Sequence, residues 1–461
     1  MATCRSQTSF ELLPGQFELV ELAVKVLNSH RRNDYCAYER HGLWHIGLGS
    51  DSSLSVHPAG NKATVVSRGG SVTDDIRGTI ADVVRKFLRD HSLPNGKIFG
   101  YTSFNYAAHS RGQTFKVGTW PLLSLFIPHI EVCLGPDQVT VKSDDIDEIK
   151  ALCDIIRRPA GFEASASTIA INTMEHAGDY VEYVANALSE IAAGKYEKII
   201  ASRAVELAER IDITETLLCG RRFNNPARSF AISHGSFQAA GFSPELVMLL
   251  ERGKLVTEPL AGTRSLEGTD KEIERLREEL LKDPKEVVEH VISIREAIRE
   301  LNCVCEEGSV IIEDFMSVRR RGSVQHLGSS VSGTLAHSKD AWDAFNVLFP
   351  SITASGIPKE IALEAIQRLE NKPRELYSGA ILLAEGTDFL EAALVLRTAF
   401  QDCSRQWLQA GAGIISQSDP QREFTETGEK LASIAPFVVG ISIRSDRHSN
   451  GGTRNCDMEF V

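Results

Sequence analysis

Strand-like runs and helix-like periodicities alternate along nearly the whole chain, and nothing separates them. No stretch rich in Pro, Gly and Ser divides the sequence, and no segment repeats another. Elements this intermixed must bury their apolar faces against one another, which describes one α+β core rather than a string of modules. The length of 461 residues suggests about three domains by the usual length prior, so the missing linkers argue against length. Early strands are expected at Leu43–Gly49, Ala63–Ser67, Lys97–Phe104 and Leu122–Cys133. Val181, Val184, Ala185, Leu188 and Ile191 recur at helical spacing within Tyr180–Ala193, and Gly194 suits the helix end. Strands follow at Lys198–Arg203, Arg228–Ser233 and Phe237–Phe242, then a hairpin of Leu246–Leu250 and Leu255–Glu258 about Arg252–Gly253. Two helices, Lys271–Lys282 and Pro284–Leu301, precede strands at Ser323–Leu327, Gly379–Leu383, Leu390–Phe400 and Trp407–Ile415. The polar ends, 1–8 and 441–461, are expected to be mobile, leaving 9–440 as one domain.

The charge balance excludes some functions. A formal net charge of −12 lacks the basic footprint that non-specific nucleic-acid binding needs. An anion can still bind where positive groups gather. No run reaches the roughly 18 apolar residues of a membrane span, and Met1–Phe10 has no apolar signal core. The nine cysteines form no CxxC pair, and Cys303 with Cys305 falls short of a four-ligand zinc site. Reduced thiols and a cytoplasmic location are expected.

A repeated device carries the first chemical signal. Asp283–Pro284 and Asp419–Pro420 each open a helix, with Asp as N-cap and Pro at the first position. Glu286 and Glu289 follow on one helix, Glu423 and Glu426 on the other. A spacing of three sets each pair on one face. Either the faces meet around a hard cation such as Mg²⁺, or they are solvated faces favoured by the helix dipole. Glycine-rich turns stand at Pro259–Arg264, Gly328–Ser330 and Gln409–Gly413. They allow close approach of backbone to an anion or simply make tight turns. Lys198, Glu245, His326, Tyr377, Arg397 and Lys430 stand singly at strand edges, and Arg319–Arg321 reads as a solvated turn.

Taken in order, these runs resemble the chorismate-utilising enzymes. The residues that carry the likeness are Lys198–Arg203, Gly241–Leu246, Glu258–Arg264, Lys285–His290, Ser323–Ser329 and Phe349–Pro350. Thr353–Lys359, Leu376–Ala380, Ala410–Ile414 and Arg422–Thr427 complete it, from about Tyr180 to Val438. The family includes anthranilate, aminodeoxychorismate, isochorismate and salicylate synthases. The stretches from Gly220 to Phe230 and from Asp314 to His326 are most similar to the salicylate synthases. The implied fold is one large α+β domain, with antiparallel sheets enclosing a cleft and helices packed outside.

The resemblance implies roles position by position. Lys198 matches the base that activates water in the isochorismate and salicylate branches, where anthranilate synthases carry glutamine. Glu245 matches the general acid that protonates the departing C4 hydroxyl. Ala261 stands where aminodeoxychorismate synthases place a nucleophilic lysine, and alanine cannot attack. Glu289 and Glu426 match Mg²⁺ ligands, with Glu286 and Glu423 holding metal waters. Gly262, Thr263 and Lys430 match contacts to the ring carboxylate. Tyr377, Arg397 and Gly411 match the clamp on the enolpyruvyl carboxylate, and Arg suits such a planar group. His326 and Thr353 match residues lining the ring. The implied enzyme makes salicylate from chorismate for siderophore biosynthesis, as a monomer without an amidotransferase subunit. An isochorismate synthase is the main alternative. An anthranilate synthase and a non-catalytic chorismate-binding relative stand further off.

Overall fold

A computed structural model describes residues 5–12, 18–158, 167–175, 177–266, 268–322 and 324–441. Among these, two antiparallel sheets of 11 and 12 strands dominate. The first runs in the order Ser6–Glu11, Gln138–Ser143, Ile130–Leu134, Leu43–Leu48, Tyr35–Arg40, Arg228–His234, Phe237–Ser243, Thr398–Gln401, Gln406–Ile414, Lys198–Leu207 and Gly356–Ile357. The second runs from Leu260–Ser265 through Val324–Thr334, Lys254–Thr257, Leu246–Glu251, Phe389–Leu394, Ala380–Glu385, Lys97–Thr102 and Leu123–Ile127 to Gly70–Asp75.

The inner faces of the sheets share one core. Tyr38, Phe230, Phe400 and Trp407 from the first sheet pack with Phe99, Tyr101, Phe126 and Ile381 from the second. Trp120 joins them, with Trp407 at 6.0 Å in an edge-on arrangement. Such aromatic pairs contribute about 0.5–1.5 kcal/mol beyond their burial. Helices cover the outer faces, so two further apolar clusters lie outside the sheets. The expected α+β class and single domain hold.

Two of the crossovers between the sheets lie side by side. Phe237–Ser243 of one passes through Pro244–Glu245 into Leu246–Glu251 of the other. Phe389–Leu394 returns through Val395–Arg397 to Thr398–Gln401. The crossovers hold each other: Leu394 N–H donates to Glu245 O at 3.2 Å, and Phe242 N–H to Arg397 O at 3.1 Å. Arg397 makes its corner at φ +50°, a conformation that costs a non-glycine residue about 1–3 kcal/mol. The single strand expected over Leu390–Phe400 is therefore two strands in different sheets. Leu122–Cys133 is likewise split, into Leu123–Ile127 and Ile130–Leu134.

Two further expectations change. Residues 6–8, read as part of a mobile end, belong to Ser6–Glu11, which pairs with Gln138–Ser143. Arg319–Arg321, read as a solvated turn, closes the long strand Ile311–Arg321. Arg319 there pairs with Glu258 at 3.2 Å and with Asp314 at 3.1 Å. The tail from 442 onward and Ser323 lie outside the described residues. Among the described residues, no helix is long and apolar enough to cross a membrane.

Candidate active site

Two helices turn carboxylates inward. In Pro284–Asn302 the Asp283 carboxylate accepts from Lys285 N–H at 2.9 Å and fixes the first turn. The buried stripe of this helix is polar at its start, with Glu286, Glu289, His290 and Ser293 inside, while Val288 and Val291 face out. Pro420–Ala432 is capped by Asp419 on Arg422 N–H at 2.8 Å and buries Glu423 beside Phe424 and Thr427. Carboxylates inside and valines outside invert the ordinary helix pattern.

One cavity collects most of the expected residues. Glu245, Gly262, Thr263, Glu289, His326, Thr353, Tyr377, Arg397, Gly411, Glu426 and Lys430 all line it. Lys198, Glu286 and Glu423 stand behind the lining. Lys198 Nζ lies 3.0 Å from Glu289 Oε1 and donates to Ser293 Oγ at 3.2 Å. Glu286 pairs with Arg264 at 3.2 Å, and Glu423 with Lys285 at 2.9 Å. Lys430 Nζ lies 2.9 Å from Glu426 Oε1 and donates to Gly411 O at 2.9 Å.

Charge, burial and hydrogen bonds set the protonation states. Burial pushes the Glu245 carboxyl up to about 8, so it carries a proton at neutral pH. Its Oε1 accepts from Ser351 Oγ at 2.9 Å, while among the described residues Oε2 makes no hydrogen bond. Burial and the Glu289 charge raise Glu286 to about 7. Burial and the Glu426 charge raise Glu423. Burial also opposes ionisation of Glu426, but Lys430 and Lys285 outweigh it and bring this carboxyl to about 2. His326 is driven down to about 3 by burial and by the Arg397 charge. Arg397 Nη2 donates to its Nε2 at 2.5 Å, so the neutral ring donates from Nδ1 to Gly262 O at 2.8 Å. A neutral, doubly tethered histidine is a fixed wall rather than a proton carrier.

The glutamates suit a hard cation in their chemistry. All are oxygen donors, the Glu289 charge raises Glu286, the Glu426 charge raises Glu423, and among the described residues buried Glu423 Oε2 makes no hydrogen bond. Among the described residues, no three potential ligands converge in metal-binding geometry. Each glutamate instead turns to a lysine or an arginine. Four carboxylates and the cations Lys198, Arg264, Lys285 and Lys430 thus form a nearly balanced layer.

Sequence reasoning passed over several participants. Arg264 and Lys285 lie inside recognised motifs but carried no assigned role. Gly413 also lines the cavity. A Cβ there would sit 2.5 Å from Glu289 Oε1 and 3.3 Å from Lys198 Cε, so only glycine leaves both side chains their places. Ser351 had no signal, because its partner Glu245 is 106 positions away. Arg321, taken for a surface residue, donates to Pro244 O at 3.0 Å and props the crossover that carries Glu245.

Fold and cavity together define a class: an α+β enzyme whose intersheet cleft is lined by a protonated carboxyl, buried cations and inward glutamates. The chain belongs to the chorismate binding enzyme family, which matches residues 35–436. It is 38% identical over 428 residues to a salicylate synthase from Mycolicibacterium paratuberculosis, covering 91% of this chain and 92% of that protein. It is 31% identical to anthranilate synthase component 1 from Methanothermobacter thermautotrophicus, covering 76% of this chain and 77% of that one. In fold it is similar to anthranilate synthase component I from Streptococcus pneumoniae. That likeness has a TM-score of 0.71 at 23% identity, over 85% of this chain and 92% of the other. The menaquinone-specific isochorismate synthase from Escherichia coli gives 0.69 at 21% identity, over 94% and 95% of the two chains.

Proposed function

We propose that this chain is a Mg²⁺-dependent salicylate synthase that turns chorismate into isochorismate and then into salicylate and pyruvate. The observation that carries the reading is Glu245, a buried carboxyl protonated at neutral pH and standing in the lining of the cavity. The similarity to a salicylate synthase over nine-tenths of both chains supports the same substrate.

In the first step Lys198 takes a proton from a water that attacks C2 of the ring. Glu245 gives its proton to the C4 hydroxyl, which leaves as water. The contacts of Lys198 with Glu289 and Ser293 must loosen for the amine to serve as base. Arg397 and Tyr377, with the Gly411 backbone, hold the enolpyruvyl carboxylate, and Gly262, Thr263 and Lys430 the ring carboxylate. His326 and Thr353 bound the ring. In the second step the C2 hydrogen passes to the enolpyruvyl methylene carbon as the ether bond breaks. That transfer needs position more than acid or base. Bound Mg²⁺, held by Glu289 and Glu426 with Glu286 and Glu423 behind, would bind the ring carboxylate and offset the glutamate charge.

The deciding experiment incubates purified protein with chorismate and Mg²⁺, with no amine donor, and identifies products with and without EDTA. Metal-dependent salicylate plus pyruvate is the expected result. Isochorismate alone would make this an isochorismate synthase. No product without ammonia, and anthranilate with it, would move the chain to the anthranilate branch. The same reading makes the protein a cytoplasmic monomer without an amidotransferase subunit, supplying salicylate for a siderophore.

Two substitutions test the carboxylate layer. Glu289→Gln should lower turnover and raise the Mg²⁺ concentration needed for half-maximal activity together. An unchanged metal titration would remove Glu289 from the metal site. Gly413→Ala should keep the melting temperature close to that of the parent, because the clash falls on a side-chain end. Turnover should nevertheless fall about 10²-fold, the scale of an ångström's misplacement. Full activity in that variant would show that Glu289 is free to move.

A further inference from the structure

The Glu245 carboxyl has two oxygens, and the structure treats them differently. Oε1 accepts from Ser351 Oγ at 2.9 Å, whereas Oε2 is buried and makes no hydrogen bond among the described residues. The serine oxygen is itself occupied, because it accepts from Thr353 N–H at 3.3 Å. Among the described residues, the serine hydrogen has Glu245 Oε1 as its acceptor. An oxygen that accepts in this way is the carbonyl oxygen of a protonated carboxyl, so the acid hydrogen belongs on the other one.

We propose that Ser351 is a positioning residue that holds the transferable proton of Glu245 on Oε2. The inference rests on the reading of Glu245 as general acid. Ser351 does not line the cavity, so it acts only through Glu245. Its own place is fixed from two sides. Arg374 Nη1 donates to Ala354 O at 2.8 Å, and Lys359 Nζ donates to Leu348 O at 3.1 Å. The segment that presents the serine is thereby pinned to buried side chains of the following helix region.

Without Ser351, the acid hydrogen would no longer be excluded from Oε1, and Oε2 would carry it only part of the time. The remaining charged groups that face the carboxyl are Glu258, which disfavours its ionised form, and Arg397. Arg321 stands on the adjacent Pro244 carbonyl. Thr353 and the Leu260 amide also favour the ionised form, as Ser351 does. Removing one such donor moves proton loss to higher pH.

The test is the pH dependence of chorismate consumption by the full chain with Mg²⁺. Ser351→Ala should shift the alkaline limb of kcat/KM upward by about one pH unit. It should lower kcat at pH 7 about 10-fold and change KM little. Ser351→Thr keeps the hydroxyl and should restore both the limb and the rate. If loss of the Thr353 cap unfolds the alanine variant, Ser351→Cys keeps the volume with a weaker donor and should shift the limb the same way. A parental limb in the folded Ala or Cys variant overturns the proposal. Glu245→Gln separates the two readings. If it retains turnover, Glu245 is not the acid. If it is inactive while the Ser351 variants keep the parental limb, only the role of Ser351 fails.

Discussion

Glu245→Gln should abolish isochorismate formation, by at least about 10³-fold in kcat, while chorismate still binds. Glutamine keeps the shape and can accept from Ser351, but it has no proton to give the leaving hydroxyl. The pH dependence follows from the same burial. In the proposed role the acid form is the active one, so turnover in the parent should fall as pH rises through about 8. Stability changes with it. The folded carboxyl holds its proton to about 8, whereas an unfolded glutamate loses it near 4.3. Because the folded value is raised, the group's stabilisation is complete below the unfolded value and is lost as pH climbs to about 8. Glutamine does not titrate, so the variant should gain on the parent by about 2–3 kcal/mol between pH 6 and pH 9. Denaturant unfolding of both proteins at the two pH values measures that gain. A constant difference would mean that the carboxyl is not held protonated.

Lys198→Ala is the second large effect. It removes the ammonium that lies 3.0 Å from Glu289 Oε1 and with it the proposed base for water addition. Chorismate consumption should fall at least about 10³-fold, with near-native circular dichroism. Glu289 then loses its lysine partner, so the apo protein should melt lower than the parent. Added Mg²⁺ should recover part of that loss, because ligand binding to the folded state stabilises it. Normal turnover in this variant would transfer the base to another group. Normal melting with no turnover would leave the chemical role intact and deny the ion pair a structural one.

Much of the fold was legible because the signals were local. The helix Ala177–Ala192 follows from its apolar spacing. The hairpin about Arg252 and Gly253 follows from two residues that take φ +52° and +79°. Failures came where tertiary structure overrode local pattern. Leu390–Phe400 reads as one apolar strand, yet it crosses between sheets at Arg397. No local rule announces that corner, since an arginine at positive φ is held there by contacts with the other crossover. Arg319–Arg321 reads as solvated because three charges in a row usually are. Glu258, Asp314 and the Pro244 carbonyl meet two of those charges only after the long strand is in place.

The sequence by itself determined the α+β class, the absence of separable modules, and two capped helices each carrying glutamates three apart. Those features depend on neighbours a few positions away, and spacing encodes them directly. Tertiary structure decided which groups share a cavity and in which protonation state. Lys198 and Glu289, or Glu245 and Ser351, are far apart along the chain and meet only when the sheets join and the helices dock. The Glu245 proton, the neutral His326 ring and the paired glutamates are consequences of burial and of those neighbours, and neither exists before the chain folds.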